Sequence, residues 1–340
     1  MDKKVMDFVK EAFVLDGCTF METRFDGCHE VIHNSCLDAF FLTTPGSTEG
    51  FTETVRHFGS IYNICDQPET RVKIVKKIED FQTAKDAGCL GLVFAFQDPK
   101  PIENSLDNLR ALYELGLRVV QLTYNKATYI GSGCAETHDG GLTDFGHKLV
   151  KEMNHLGMVV DLSHCSTKTS LDAIEASDAP VLITHANAKA VTDSPRNHTD
   201  EEFKKLAAKG GVVGVCPWGP IAWHPEQHCQ PTMDDFVEHF EYMVNLIGID
   251  HVAFGTDYIL DEKENKHEKK MIAELYPNIA KAYNEEVGTH SDVRYVKGFK
   301  GGPEIANAVE ALLSRGYSED DMRKFLGGNF LRVLKEVWKA

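Results

Sequence analysis

Residues 157–197, GMVVDLSHCSTKTSLDAIEASDAPVLITHANAKAVTDSPRN, limit the folds open to this chain more than any other stretch. Two apolar runs, 158–162 and 181–183, each end in a small hydroxylated residue followed by histidine: Ser163-His164 and Thr184-His185. Between them lies a helical pattern that Ser166 or Thr167 can cap and that stops before Pro180. Strand, helix, strand is a βαβ unit, so the strands are expected to be parallel with both histidines at their C-terminal ends. In a parallel α/β protein that is the end where ligands bind. One histidine on each of two successive strands is a geometry suited to sharing a metal ion. The plainer reading is two polar residues filling the mouth of a sheet.

The rest of the chain repeats the alternation. Residues 13–19 (FVLDGCT), 60–65 (SIYNIC), 89–97 (CLGLVFAFQ), 118–124 (RVVQLTY), 211–218 (GVVGVCPW) and 251–258 (HVAFGTDY) read as further strands. Helices are expected over 1–12, 69–87, 106–115, 143–155, 199–209 and 232–247, several of them stopped by glycine. With the central unit the strands number eight, the count of a single (β/α)8 TIM barrel, and 340 residues suit one such domain spanning 1–340. Residues 20–58 and 259–300 are expected as long excursions over the active face, the second as a lid, and 303–340 as closing C-terminal helices.

A net charge of −16 argues against nucleic acid or an anionic membrane as a partner. No apolar run approaches the length of a membrane span, and the first residues are charged and amphipathic rather than leader-like. Nine cysteines without paired spacing read as reduced thiols, and the expected location is cytoplasmic. The expected partner is a small-molecule substrate, and a homodimer is one assembly open to the chain.

The strand ends collect residues that strand propensity would not choose: Asp16 and Cys18, Gln97, Tyr124, His164, His185 and Asp257. Arg196 follows His185 by eleven residues in a Ser-Pro-Arg-Asn turn. Two imidazoles can hold Zn²⁺, whose bound water ionises near neutral pH. A carboxylate beside that water is a general base, and an arginine beyond it suits a substrate carboxylate. Each has a plainer alternative: Asp257 could cap a turn, Arg196 could pair at the surface, and Tyr124 could be a core aromatic. Cys134, Glu136 and His138, in GSGCAETHDGG, form a second cluster on a loop.

The runs GLTDFGHKLVKEMNHLGMVVDLSH, THANAKAVTDSPRN and VAFGTDY resemble the membrane (renal) dipeptidase family of the amidohydrolase superfamily. The resemblance covers nearly the whole chain, from the LDG of the first strand to the closing GGNFLRVLKEVW, and it is most specific over 141–197. It implies a (β/α)8 barrel that hydrolyses dipeptides with a binuclear zinc centre. By position, His164 and His185 match the histidines of one zinc, Arg196 the arginine that holds the substrate carboxylate, and Asp257 the proton-transfer aspartate.

Four other positions depart from the pattern. Where the family's first strand ends Asp-Gly-His-Asn-Asp, this chain has Asp16-Gly17-Cys18-Thr19-Phe20, so both ligands of the other zinc are replaced. The bridging glutamate falls on Gln97, and the histidine of the fourth strand falls on Tyr124. The same loops resemble a divergent bacterial branch of the family. The expectation is therefore a metallohydrolase with at most one zinc, held by His164 and His185, with Gln97 and Cys18 as candidates to complete it. Asp257 would move protons, Arg196 would bind the substrate, and Tyr124 would bind it and polarise its carbonyl. Two alternatives stay open: another reaction on a small zwitterion, such as a modified amino acid or betaine, and a barrel that binds small carboxylates without catalysis.

Overall fold

The computed structural model describes residues 2–20, 36–44, 49–259, 294–299 and 304–339, with the single positions 281, 285 and 301. Strand β1 (Leu15–Phe20) pairs with β2 (Ala39–Thr43), which pairs with β4 (Leu90–Phe96). The order continues through β5 (Leu117–Gln121), β6 (Val159–Asp161), β7 (Leu182–Ala186), β8 (Val212–Val215) and β9 (Val252–Phe254), every pair parallel. After a break at 255–257 the same segment resumes as β10 (Tyr258–Ile259), which pairs with β1 and brings the ends of the sheet together. The result is a (β/α)8 barrel, as the strand count implied. A short β3 (Val72–Ile74) lies against β4 outside this path.

Buried strands with both faces covered read as continuous apolar runs, and β2 and β4 are buried at every position. Alternate residues divide between two cores. Ala39, Phe41, Val93, Val119, Val159, Leu182 and Val212 cluster with Phe330, Val333 and Leu334 of the last helix, Asn329–Val337. The Phe41 and Phe330 rings stand 5.6 Å apart. Phe40, Leu42, Leu92, Phe94, Val120 and Val160 belong to the other cluster, with the surrounding helices.

Those helices include α1 (Lys3–Glu11), α2 (Phe51–Cys65), α3 (Ile78–Asp86), α4 (Leu106–Glu114), α5 (Asp144–Leu156), α6 (Thr167–Ala176), α7 (Asp200–Ala208) and α8 (Met233–Ile247). Thr143 and Ser166 cap α5 and α6 with their side-chain oxygens, as their positions implied. At α7, Thr199 and Glu202 form a reciprocal capping box, and His198 Nδ1 lies 2.7 Å from the same carboxylate.

Two elements correct the sequence expectation. Residues 60–65 are not the second strand. They finish α2, whose buried Thr54, Phe58 and Ile61 recur at helical spacing and seat Phe58 flat on Phe94, 4.1 Å between centroids. The second strand is instead Ala39–Thr43, inside the segment expected as an excursion over 20–58. The helix expected over 69–87 is only Ile78–Asp86, preceded by a 3-10 turn at Pro68–Thr70 and by β3. Most of the expected lid over 259–300 lies outside the described residues; 294–299 pair with the loop after β8.

Glu202 yields a stability prediction. Burial alone would raise its pKa, but the His198 ring and the Thr199 N–H and hydroxyl outweigh it and hold it at about 2, against an ordinary 4.5. A folded value below the unfolded one contributes stability that is present above pH 4.5 and is lost as pH falls toward 2. The shift corresponds to roughly 3 kcal/mol. Urea melts should show Glu202→Gln clearly less stable than wild type near neutrality and nearly equal to it only at about pH 2.

Candidate active site

Side chains from β1, β4, β5, β6, β7 and β9 and the loops after them meet at the C-terminal end of the barrel. His185 lies in β7, where the carbonyl of the preceding Thr184 is packed against Gly17 and Gly255. A Cβ on either glycine would stand within 2.3 Å of that oxygen, so only glycine lets the neighbouring strands close around it. His164 follows β6 with φ +61°, Asn125 has φ +63° and Asp257 φ +51°. Left-handed backbone at non-glycine residues is uncommon and costs on the order of 1–3 kcal/mol each, and such strain concentrates at functional sites.

Hydrogen bonds fix both imidazoles. Asn125 Oδ1 accepts from His164 Nδ1 at 2.7 Å. Thr184 Oγ1 donates to Asp161 at 2.7 Å and so accepts from His185 Nδ1 at 2.9 Å. Asp161 is itself held by Ser163 Oγ and by the N–H groups of Ser163 and Thr184. With both protons on Nδ1, the two Nε2 lone pairs face each other 3.1 Å apart. Two acceptors do not rest at hydrogen-bond distance unless something electropositive lies between them. Burial, followed by the Arg196 charge, depresses the pKa of both rings well below the ordinary range, so neither readily supplies that charge as a proton.

Cys18 approaches from β1. Its Sγ lies 3.7 Å from Asp257 Oδ1 and 3.6 Å from Thr43 Oγ1, and it accepts from the Gln97 amide at 2.8 Å. Burial, then the Asp257 carboxylate, pushes the thiol pKa well above its ordinary value. Ligand atoms of Cys18, His185 and Asp257 all lie within 4.8 Å of one another. His185 thus belongs both to the pair with His164 and to this trio. The nitrogen and sulfur donors fit one ion such as zinc, with Asp257 Oδ1 beside the sulfur. They do not fit two: Phe20 offers no ligand atom, and Gln97 turns its NH₂ group, which cannot ligate, toward Cys18.

Arg196 is buried, 2% exposed, which removes the surface ion-pair reading; its Nη2 donates to the His185 carbonyl at 2.8 Å. The Tyr124 ring stacks on His164 with centroids 4.5 Å apart, and burial, then Asp257, holds its hydroxyl protonated far above the ordinary range. Asp257 Oδ2 is paired with Arg294 at 3.1 Å, and Arg294 also donates to the Asp257 carbonyl. Asp16 ties β1 to the break before β10, accepting from the Thr256 N–H at 2.7 Å. Burial raises its pKa to about 6, against the hydrogen bonds from Thr19 and Thr256.

All eight strand-end and turn residues named from the sequence, Asp16, Cys18, Gln97, Tyr124, His164, His185, Arg196 and Asp257, therefore lie in this one interlinked region. Glu136 instead accepts from the Ala127 and Thr137 N–H groups, and neither it nor Cys134 nor His138 joins a metal-competent group among the described residues. Sequence reasoning missed Asn125, Asp161, Thr184 and Arg294. Asp161, a carboxylate between two valines and a leucine at a strand end, was the one with a readable signal.

A family model described as membrane dipeptidase (peptidase family M19) matches residues 29–287, most of the chain. The chain belongs to the membrane dipeptidase family. Among the relatives of this M19 member, a Claviceps purpurea protein named dipeptidase tcpJ is 29% identical over 87% of the chain. Human dipeptidase 3 is 27% identical over 82% of it. The chain spans 65% and 51% of the length of these two relatives. A Pseudomonas aeruginosa amidohydrolase structure superposes with a TM-score of 0.85 at 30% identity, covering 98% of this chain and 99% of its own. A Rhodobacter sphaeroides metallopeptidase, crystallised with a phosphinate mimic of L-Ala-D-Ala, shares the fold with a TM-score of 0.69 at 20% identity, covering 99% of this chain and 90% of its own. No helix among the described residues of this dipeptidase-family barrel is long and apolar enough to cross a membrane.

Proposed function

We propose that this chain is a hydrolase that uses one metal ion to cleave a dipeptide, or a similar small amino-acid-derived amide with a free carboxylate. The observation that carries the reading is the pair of Nε2 atoms 3.1 Å apart, each fixed as an acceptor by a hydrogen bond on its other ring nitrogen. Membership of the dipeptidase family and the named dipeptidase relatives support the reaction class. His164 and His185 would hold the ion with the Cys18 thiolate, and zinc is the metal that nitrogen and sulfur donors suit best. Such an ion supplies a water that ionises near neutral pH.

The geometry and the positions of these residues in the family pattern support the remaining roles. Gln97 donates to Cys18 Sγ and stabilises its thiolate form, whereas a carboxylate there would repel it. Asp257, with Oδ2 held by Arg294, presents Oδ1 beside Cys18 to accept and return a proton. Arg196 binds the substrate carboxylate, and the protonated hydroxyl of Tyr124 polarises the scissile carbonyl. Assay of the zinc-loaded chain against a dipeptide panel tests this reading. The expected result is hydrolysis that chelation abolishes and zinc restores. A chain that retains the ion but hydrolyses no dipeptide would overturn it.

A further inference from the structure

The loop after β8 contains a second group of ligand-type side chains outside the barrel mouth. His224 is 8% exposed, and its Nε2 is buried without a hydrogen-bond partner. That atom faces two carboxylates of α8: Glu238 Oε2 at 3.4 Å and Asp235 Oδ1 at 3.9 Å. Asp235 and Glu238 share one helix face, three residues apart. Asp235 already spends its other oxygen, Oδ2, on the Thr232 N–H and hydroxyl at the start of α8, which fixes Oδ1 toward His224. Glu238 is exposed, and Glu226 Oε1 lies 3.7 Å from Nδ1.

We infer that His224, Asp235 and Glu238 form a site for a divalent transition-metal ion, with zinc as the chemical type. Ligand atoms of the three lie within 4.8 Å of one another. Zinc bonds of about 2.0–2.2 Å to nitrogen and oxygen set adjacent donors roughly 3–4 Å apart, which matches the two contacts of Nε2. His239, stacked beside His224, is not a ligand. Its Nδ1 accepts from the Ala188 N–H, and its Nε2 donates to Thr192 Oγ1.

The ion would act as a brace. It joins the loop carrying His224 to the first turns of α8. Around it the chain supports the wall of the mouth: the Gly219 N–H donates to the Arg294 carbonyl, Gln230 Nε2 to the Tyr295 carbonyl, and the Lys297 N–H to the Pro231 carbonyl. Arg294 in turn holds Asp257.

The test is elemental analysis after equilibrium dialysis of the 340-residue chain against zinc. This inference is independent of the mouth centre, because His185→Ala marks the loss of that ion and His224→Ala the loss of this one. The expected result is one zinc fewer per chain in His224→Ala. Glu238→Gln, at an exposed position that leaves the fold intact, is expected to bind this zinc 10-fold or more weakly. Zinc content and affinity unchanged from wild type in both variants would overturn the site. If His224→Ala does not fold, the Glu238→Gln titration alone decides the matter in the same two directions.

Discussion

His185→Ala is expected to lose the mouth ion and, with it, hydrolysis, while the barrel stays folded. His185 is the residue common to both arrangements of ligand atoms, facing His164 Nε2 at 3.1 Å and sharing a group with Cys18 and Asp257. Disturbing a residue that merely orients a ligand costs roughly 10–100-fold in metal affinity, and removing the ligand costs more. His164→Ala should behave in the same direction. The fold should survive because each variant deletes an acceptor that faces another acceptor. Elemental analysis checks the ion and circular dichroism the fold. Both variants keeping the full metal content of wild type would remove these histidines from the ligand set.

Arg196→Lys separates substrate class from metal. Lysine keeps the charge but loses the planar fork that grips a carboxylate with two hydrogen bonds. A charged hydrogen bond of this kind is worth on the order of 1.5–3 kcal/mol, roughly ten- to a hundredfold in affinity. Arg196 also donates to the His185 carbonyl, so a purely structural loss has to be told apart from a loss of substrate contact. A matched pair of ligands does this, one with a free carboxylate and one amidated at that group. Titration should show a large loss for the first and a small loss for the second. Equal losses would make Arg196 structural.

The barrel was legible because buried parallel strands leave uninterrupted apolar runs, and because each strand end carries a polar residue out of keeping with the run before it. His164 and His185 were the clearest of these. The second strand was misplaced because residues 60–65 are rich in β-branched and aromatic types, while the helical recurrence of Thr54, Phe58 and Ile61 extends upstream of that window. Ala39–Thr43 is a five-residue strand, too short for its apolar run alone to distinguish it from a loop.

The residues that orient the site were harder to see for a different reason. Asn125 acts on His164 across 39 positions of sequence, Arg294 on Asp257 across 37, and Thr256 on Asp16 across 240. No local pattern encodes such pairs; closure of the barrel creates them. The contact between Gln97 and Cys18 has the same origin. Each looks like a lost ligand in the sequence, yet in space the amide of one donates to the sulfur of the other at 2.8 Å. Two isolated departures become one coupled exchange.

That coupled exchange is the centre of the account, and cobalt substitution tests it most directly. A thiolate bound to Co²⁺ gives a near-ultraviolet charge-transfer band that nitrogen and oxygen ligands do not, so the band reports Cys18 irrespective of turnover and of any ion held by His224, Asp235 and Glu238. Titration of the metal-free chain with Co²⁺ should raise this band to the amplitude of one bound thiolate per chain, and Cys18→Ser should remove it. A cobalt-loaded wild type without the band, or a band that persists unchanged in Cys18→Ser, would contradict a single-ion centre built on the Cys18 thiolate.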